Sequence, residues 1–182
     1  LLDTRTDADL LDTAGIVYHA PADATRTTLP DGSIDVVFSN SVLEHVEPAL
    51  LPGLLRESRR LVGARGVSLH AVACNDHYAH FDRAISFVHY LQFDARQWRK
   101  WNNALNYQNR LRAPDFIAAA REAGLEIVHE ERAVRPGSRE ALAAMRVAPE
   151  FASYAAEDLV ATSVNFVARA ALGGPVDHSP RT

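Results

Sequence analysis

Two strand-like segments on either side of an amphipathic helix constrain the fold of this chain most strongly. The first, Ile34–Ser39, is dominated by β-branched and aromatic residues, which favours a buried strand. Pro48–Val62 repeats leucine at helical spacing and carries arginine and glutamate on its other faces, which predicts a helix. Val67–Cys74 predicts the next strand. A strand, a helix and a strand in this order indicate an α/β fold with a mainly parallel sheet.

The rest of the chain continues this alternation. Further helices are predicted at Asp7–Thr13, Pro114–Ala123 and Ser138–Met145, and further strands at Ile16–His19, Leu125–Glu130 and Ala161–Ala170. The segment Asn75–Arg112 is rich in aromatic residues and histidines, and we interpret it as a helical excursion over the active-site end of the sheet. Its aromatic residues are expected to belong mainly to the core. Residues 1–172 are predicted to form one domain, followed by a flexible tail at 173–182.

Composition excludes several classes of protein. The 182 residues have a net charge of −4 with both signs interspersed, so no basic surface is predicted for nucleic acid. The apolar runs are too short to span a bilayer. One cysteine, Cys74, cannot form an internal disulfide, which fits a reducing cytoplasm. We therefore predict a cytoplasmic protein that does not bind nucleic acid.

One stretch carries a family resemblance. The predicted strand Ile34–Ser39 is preceded by Leu29-Pro30-Asp31-Gly32 and followed by Leu43-Glu44-His45. The helix and turn beyond it lie within Leu55–Gly66. With Asp23-Ala24 upstream, this stretch resembles the fourth-strand region of class I S-adenosylmethionine-dependent methyltransferases. The resemblance implies a Rossmann-like methyltransferase sheet, mainly parallel with an antiparallel last strand. It also implies S-adenosylmethionine as cofactor and methyl transfer to a small-molecule acceptor, in a subgroup associated with sugar or polysaccharide biosynthesis.

The sequence also departs from the family pattern. No glycine-rich loop lies upstream of Asp23, and no second strand is evident, so the N-terminal strands of the family fold are expected to be missing. Without them, Val36–Phe38 should form an exposed sheet edge, through which two copies could pair. An alternative is therefore a non-catalytic methyltransferase-like domain that acts as a binding or interaction module. A Rossmann-type dehydrogenase fits the Leu43-Glu44-His45 step poorly.

The resemblance and the positions after each strand nominate the site residues. Cofactor contacts are expected at Asp23, Ala24, Ser39, Asn40 and Glu44. Alternatively, the aspartate belongs to a local turn, and the serine and asparagine cap the next helix.

Three histidines are candidates for the catalytic proton acceptor, because imidazole titrates near neutral pH. They are His45, His77 and His80, although a buried structural histidine is the ordinary alternative for the first. Acceptor contacts are predicted at Tyr78, Asp82, Asn109, Arg110 and Arg112, with a solvated helix face as the alternative for the arginines. The two later histidines and Asp82 have a spacing that suits a metal. Since nothing else in the sequence completes a ligand set, no metal is predicted.

Overall fold

The computed structural model describes residues 6–171. Its helices are α1 (Asp7–Thr13), α2 (Leu51–Val62), α3 (Ala95–Trp98), α4 (Ala113–Glu122), α5 (Ser138–Ala144) and α6 (Ala156–Val160). Its strands are β1 (Val36–Asn40), β2 (Val67–Ala73), β3 (Leu125–Ala133) and β4 (Ser163–Ala170). Most of these elements lie within a few residues of their predicted bounds. The tail predicted at residues 173–182 lies outside the described residues.

The four strands form one sheet in the order β1-β2-β4-β3. β1 and β2 are parallel, while β4 is antiparallel to both β2 and β3. Three strands therefore run in one direction, and the last strand of the chain runs in the other. This arrangement confirms the predicted α/β sheet with an antiparallel last strand.

Helices α2 and α4 cover one face of the sheet and enclose the main core. Leu55 of α2 and Phe116 of α4 pack with Val72 and Phe166 from the two central strands, and all four are almost fully buried. Burying a side chain of this size contributes about 1.5 to 3 kcal/mol each. The predicted amphipathic helix is therefore confirmed, because the leucines at helical spacing form one continuous apolar stripe that packs against the sheet.

A glycine sets the close approach between α2 and β2. A Cβ atom on Gly66 would lie 2.6 Å from the carbonyl oxygen of Ile34 and 2.8 Å from that of Asp35. No side chain fits at that distance, so the residue directly before β2 must be glycine. This turn brings β2 alongside β1 in parallel register, with Ser39 opposite His70.

The opposite face of the sheet is open near β1. Val36 is 50% exposed and Phe38 is 76% exposed, which confirms the predicted exposed edge and corrects the prediction of a buried strand. The strand predicted at Ile16–His19 is wrong, because this segment is irregular and its apolar side chains are exposed. A strand requires a hydrogen-bonded neighbour, and none of the four described strands pairs with it.

The segment after β2 crosses the carboxyl edge of the sheet in short helical turns, as predicted. These are the turns His77–His80 and His89–Gln92 followed by α3. Tyr90 and Trp98 are buried in a second apolar cluster with Phe151, so these aromatic residues belong to the core. None of the helices within residues 6–171 has the length and apolar character needed to cross a membrane.

Candidate functional site

A cavity of about 740 Å³ lies where β1 and β2 end. The chain reaches it with Asn40 and Ser41 after β1, and with Asn75, His77 and His80 after β2. In open α/β sheets, ligands bind beyond the carboxyl ends of the strands, and this cavity occupies that position. The fold therefore places a polar, histidine-rich pocket where a sheet of this kind is expected to bind its ligand.

The backbone conformation of Ser41 directs the chain along the wall of the cavity. Ser41 has a positive φ of 53°, which is rare for a residue with a side chain. Its backbone amide donates to the carbonyl of Ala71, at 2.9 Å. The chain then enters a short 3-10 turn, Leu43–His45, which Leu43 anchors in the core. Positive φ values in non-glycine residues cluster at functional sites, so Ser41 belongs among the site residues, although the sequence analysis did not select it.

The segment Tyr107–Asn109 holds this turn in place. The Nδ1 atom of His45 lies 2.6 Å from the carbonyl oxygen of Tyr107, and a carbonyl only accepts, so Nδ1 carries the proton. The amide of Asn109 donates to the carbonyls of Leu43 and Val46, at 2.7 and 2.9 Å. As a result, His45 presents an unprotonated Nε2 atom.

The same segment also holds the wall formed after β2. Gln108 donates to the carbonyl of Asn75 at 2.8 Å and accepts from the backbone amide of His77 at 3.1 Å. The ring centroids of His45 and His77 are 5.0 Å apart, and those of His77 and His80 are 5.8 Å apart. The structure therefore brings all three predicted catalytic histidines together, while their catalytic role stays a prediction.

The imidazoles differ in environment. Burial, with a smaller contribution from the neighbouring His45 and His80, lowers the pKa of His77 to about 4. His77 is therefore neutral at neutral pH and retains a lone pair. His80 is more exposed, and its Nε2 atom lies 3.2 Å from the side-chain oxygen of Asn75, to which it donates. Asn75, which sequence reasoning missed, thus orients one of the three rings.

Glu44 lies next to this group and is 2% exposed. Neither carboxylate oxygen has a hydrogen-bond partner within residues 6–171. Burial raises the pKa of this carboxyl group, and the nearby backbone amides of Glu44 and Ala73, which lie outside hydrogen-bond geometry, offset only part of that rise. The side chain does not line the cavity itself but lies behind His45 and His77, and cofactor contact at Glu44 stays a prediction.

The other predicted cofactor residues lie in two places. Asp23 accepts hydrogen bonds from the amide and hydroxyl of Thr25, at 2.8 and 2.7 Å, and these bonds lower its pKa. This is the local turn that the alternative interpretation predicted, with Ala24 inside it. Ser39 is hydrogen-bonded to Nδ1 of His70 at 2.7 Å and does not line the cavity. Asn40 lines the cavity, and cofactor contact there stays a prediction.

Asn109, Arg110 and Arg112 do not line the cavity, and acceptor contact at these residues stays a prediction. Arg112 is fully buried, and its guanidinium donates to Tyr90 and to backbone carbonyls that include those of Cys74 and Leu159. Arg110 is 7% exposed and pairs with Glu150. Isolated sequence motifs do not show which arginines are enclosed, because the enclosing groups come from distant segments.

Tyr78 and Asp82 also lie away from the cavity. The Tyr78 hydroxyl donates to the carbonyl of Trp101 at 2.7 Å, and Asp82 accepts from the backbone amide of Ala84 at 2.8 Å. Neither residue lines the cavity, and acceptor contact at Tyr78 and Asp82 stays a prediction. Both lie in the helical excursion, where a change of one or two positions moves a side chain to another face of a short turn.

Comparisons with known proteins agree with this fold. A family model described as a methyltransferase domain matches residues 5–69, which include β1, the Leu43–His45 turn and α2. No curated protein matches the chain.

Several solved structures share the fold. A protein from Pyrococcus horikoshii OT3 is 13% identical, with a TM-score of 0.52 over 90% of this chain and 64% of its own. The geranyl diphosphate C-methyltransferase of Streptomyces coelicolor A3(2), solved with Mg²⁺, geranyl diphosphate and S-adenosyl-L-homocysteine, is 14% identical. Its TM-score is 0.52 over 89% of this chain and 56% of its own. The [4+2]-cyclase SpnF is 18% identical, with a TM-score of 0.52 over 91% and 61%.

The family match and the shared fold together confirm the predicted resemblance to class I S-adenosylmethionine-dependent methyltransferases. At these identities, the solved structures show the fold alone, and this chain spans less than two thirds of each of the three. One of them is named as a cyclase, which illustrates that this fold supports more than one reaction.

The described residues fit one side of a site for S-adenosylmethionine, the cofactor of that family. Asn40 and Ser41 stand at the end of β1, beside the cavity. No glycine-rich turn precedes Asp23, and among the described strands none covers the free edge of β1. These residues alone therefore do not enclose the cofactor.

Proposed function

We propose that this chain belongs to an enzyme that transfers a methyl group from S-adenosylmethionine to a small-molecule acceptor. The observation that carries the proposal is the convergence of His45, His77 and His80 on a cavity at the carboxyl edge of the sheet. S-adenosylmethionine supplies an electrophilic methyl group. The residues of this chain would position the acceptor and accept its proton.

The polarity of the cavity supports a hydroxylated acceptor. Imidazole and carboxamide groups line it together with one charged residue, Arg135, and the imidazoles and carboxamides both donate and accept hydrogen bonds. A sugar or a related polyol offers many matching groups, in agreement with the subgroup that the sequence resembles. Transfer to such a hydroxyl requires removal of its proton, for which an imidazole nitrogen at the cavity offers a lone pair. The cytoplasmic location stays a prediction.

Calorimetric titration of S-adenosylmethionine and S-adenosyl-L-homocysteine into the 182-residue chain tests the proposal. We expect micromolar binding, weakened about tenfold in Asn40→Ala, since one hydrogen bond at a bound ligand contributes roughly 1.4 kcal/mol. Asp12→Ala is the matched control, because Asp12 is an exposed residue of α1. A folded sample that binds neither compound would contradict the proposal for this chain.

The exposed β1 edge favours a second candidate, a non-catalytic domain that pairs with a second copy. Phe38 is 76% exposed on a strand whose free edge has no partner among the described strands. Two such edges could pair symmetrically and bury both phenylalanines. Light scattering of the wild type and of Phe38→Asp separates the candidates. A dimer that dissociates in the variant, together with no cofactor binding, would favour the second candidate.

A further inference from the structure

Glu44, His45 and His77 form a group that the sequence does not bring together. One ligand atom from each residue lies within 4.8 Å of those of the other two. We propose that these three residues bind one divalent transition-metal ion, with its remaining coordination positions open to the cavity. The spacing that suggested a metal in the sequence used a different set, and Asp82 of that set lies outside this group.

The carboxylate of Glu44 is the strongest observation for an ion. It is 2% exposed, and both oxygens lack a hydrogen-bond partner among the described residues. A carboxylate buried without a partner costs several kcal/mol, and proteins normally relieve that cost by pairing the charge or coordinating a metal. A divalent cation between the three side chains would supply the missing partner.

His45 is prepared as a ligand. Its Nδ1 atom donates to the carbonyl of Tyr107, which fixes the tautomer and leaves the Nε2 lone pair free. Metal-binding histidines almost always donate their other nitrogen to a carbonyl, a carboxylate or water, and this geometry matches that pattern. The side-chain amide of Asn109 donates to the carbonyls of Leu43 and Val46, and these two hydrogen bonds fix the backbone that carries Glu44 and His45.

His77 completes the set from the opposite wall. Its backbone amide is held by Gln108, and its ring faces that of His45 at a centroid distance of 5.0 Å. The segment Tyr107–Asn109 therefore fixes the ligands from both walls at once. A site built on rigid neighbours in this way needs only small side-chain movements to close around an ion.

The chemistry of the donors selects the class of ion. Two imidazoles and one carboxylate suit Zn²⁺, Fe²⁺ or Co²⁺, whereas Mg²⁺ and Ca²⁺ prefer oxygen ligands throughout. Three protein ligands leave at least one position open, which is the arrangement of catalytic sites. Within the proposed methyl transfer, on which this role rests, the ion would bind and polarise an acceptor oxygen. His80, outside the ligand set, would then be the imidazole left to accept the proton.

Metal binding by the full chain tests the site directly. After chelator treatment and dialysis, Zn²⁺ is titrated by calorimetry, and Co²⁺ is followed by its visible absorption, which reports the ligand geometry. We expect one ion per chain and Zn²⁺ binding at least about 100-fold tighter than Mg²⁺. Glu44→Gln and His77→Ala should each weaken Zn²⁺ about 100-fold or more, because even supporting residues of metal sites account for about 10- to 100-fold.

His129→Ala is the matched control, since His129 is an exposed histidine of β3 outside the group. Its Zn²⁺ affinity should equal that of the wild type, and circular dichroism should show that all variants are folded. Unchanged Zn²⁺ binding in Glu44→Gln, or equal losses in His129→Ala, would overturn the site. Zn²⁺ binding without S-adenosylmethionine binding would support the metal site and contradict the proposed methyl transfer, so the two failures are distinguishable.

Discussion

Two fully buried charged residues in this protein lie in opposite kinds of surroundings. Arg112 is 0% exposed, and its guanidinium donates to the Tyr90 hydroxyl and to the carbonyls of Cys74 and Leu159, among others. Glu44 is 2% exposed, and neither of its oxygens has a partner within the described residues. Buried polar groups are normally hydrogen-bonded, so a complete set of partners indicates a structural role. An incomplete set at the wall of a cavity indicates a place for a ligand.

The difference follows from the segments that surround each residue. Arg112 directly precedes α4 and lies close to the ends of α6 and β2, so backbone carbonyls from several elements converge on it. Glu44 lies in a three-residue turn, and the nearby side-chain amide of Asn109 donates to the carbonyls of Leu43 and Val46 rather than to the carboxylate. The first site is closed by the fold, whereas the second leaves acceptors without donors.

The largest expected effect concerns Arg112. In Arg112→Met, the carbonyls that converge on the guanidinium lose their donors while they remain buried, so unfolding free energy should fall by about 3 to 5 kcal/mol. Urea unfolding measures this change. Arg96→Met, at an exposed position of α3, is the control and should change stability by less than about 0.5 kcal/mol. A small loss of unfolding free energy in Arg112→Met would contradict the contrast between the surroundings of Arg112 and those of Glu44.

A pH experiment tests a third buried polar residue, His70. It lies between the hydroxyls of Ser39 and Ser68, and burial lowers its pKa to about 4. The unfolded chain binds the proton near pH 6.5, so stability from the neutral ring is present above that pH. It is lost as pH falls from 6.5 towards 4, by up to about 3 kcal/mol.

Urea unfolding at pH 7.5 and 4.5 should show this loss in the wild type and a smaller loss in His70→Gln, which does not titrate. His129→Gln changes an exposed histidine and should keep the wild-type dependence. Equal slopes in all three proteins would show that His70 is not held neutral by the fold.

An ion pair offers an intermediate case, because Glu57 of α2 is nearly buried but has partners. Arg60 donates to both its oxygens and Thr27 to one, and these bonds lower the pKa of Glu57 to about 2. The stabilisation is present above pH 4.5 and is lost as pH falls towards 2. Glu57→Gln should cost about 2 kcal/mol at pH 7 and little at pH 2.

Chemical unfolding of Glu57→Gln across this pH range measures the effect. Glu131→Gln, at an exposed position of β3, should remain within about 0.5 kcal/mol of the wild type throughout. The same cost at both pH values would mean that Glu57 acts through its shape rather than its charge.

The smallest expected effect has the opposite sign. Glu44→Gln removes a buried carboxylate without partners, so the chelator-treated variant should be about 1 kcal/mol more stable than the wild type. Added Zn²⁺ should stabilise the wild type and leave the variant unchanged. Thermal unfolding with and without Zn²⁺ measures both effects, and Glu47→Gln, at an exposed position, is the control. If Glu44→Gln is instead less stable than the wild type, Glu44 has a structural role like that of Arg112.

Much of the fold was predictable from local patterns. The leucine spacing of α2 and the apolar segments of β1 and β2 determine the elements, because each pattern matches the period of one secondary structure. The exposed edge at β1 was also predictable, since the resemblance shows which strands would otherwise cover it. Ile16–His19 failed because local preference for a strand is not enough when no neighbour pairs with it.

The candidate site was predictable in its position but only partly in its residues. The sequence alone determined that polar groups after β1 and β2 meet at one edge, since parallel strands end on the same side of a sheet. It did not show that Arg112 is enclosed, or that His77 stands beside Glu44 and His45. Tertiary structure decided these roles, because the hydrogen-bond partners of a buried charge come from segments far along the chain.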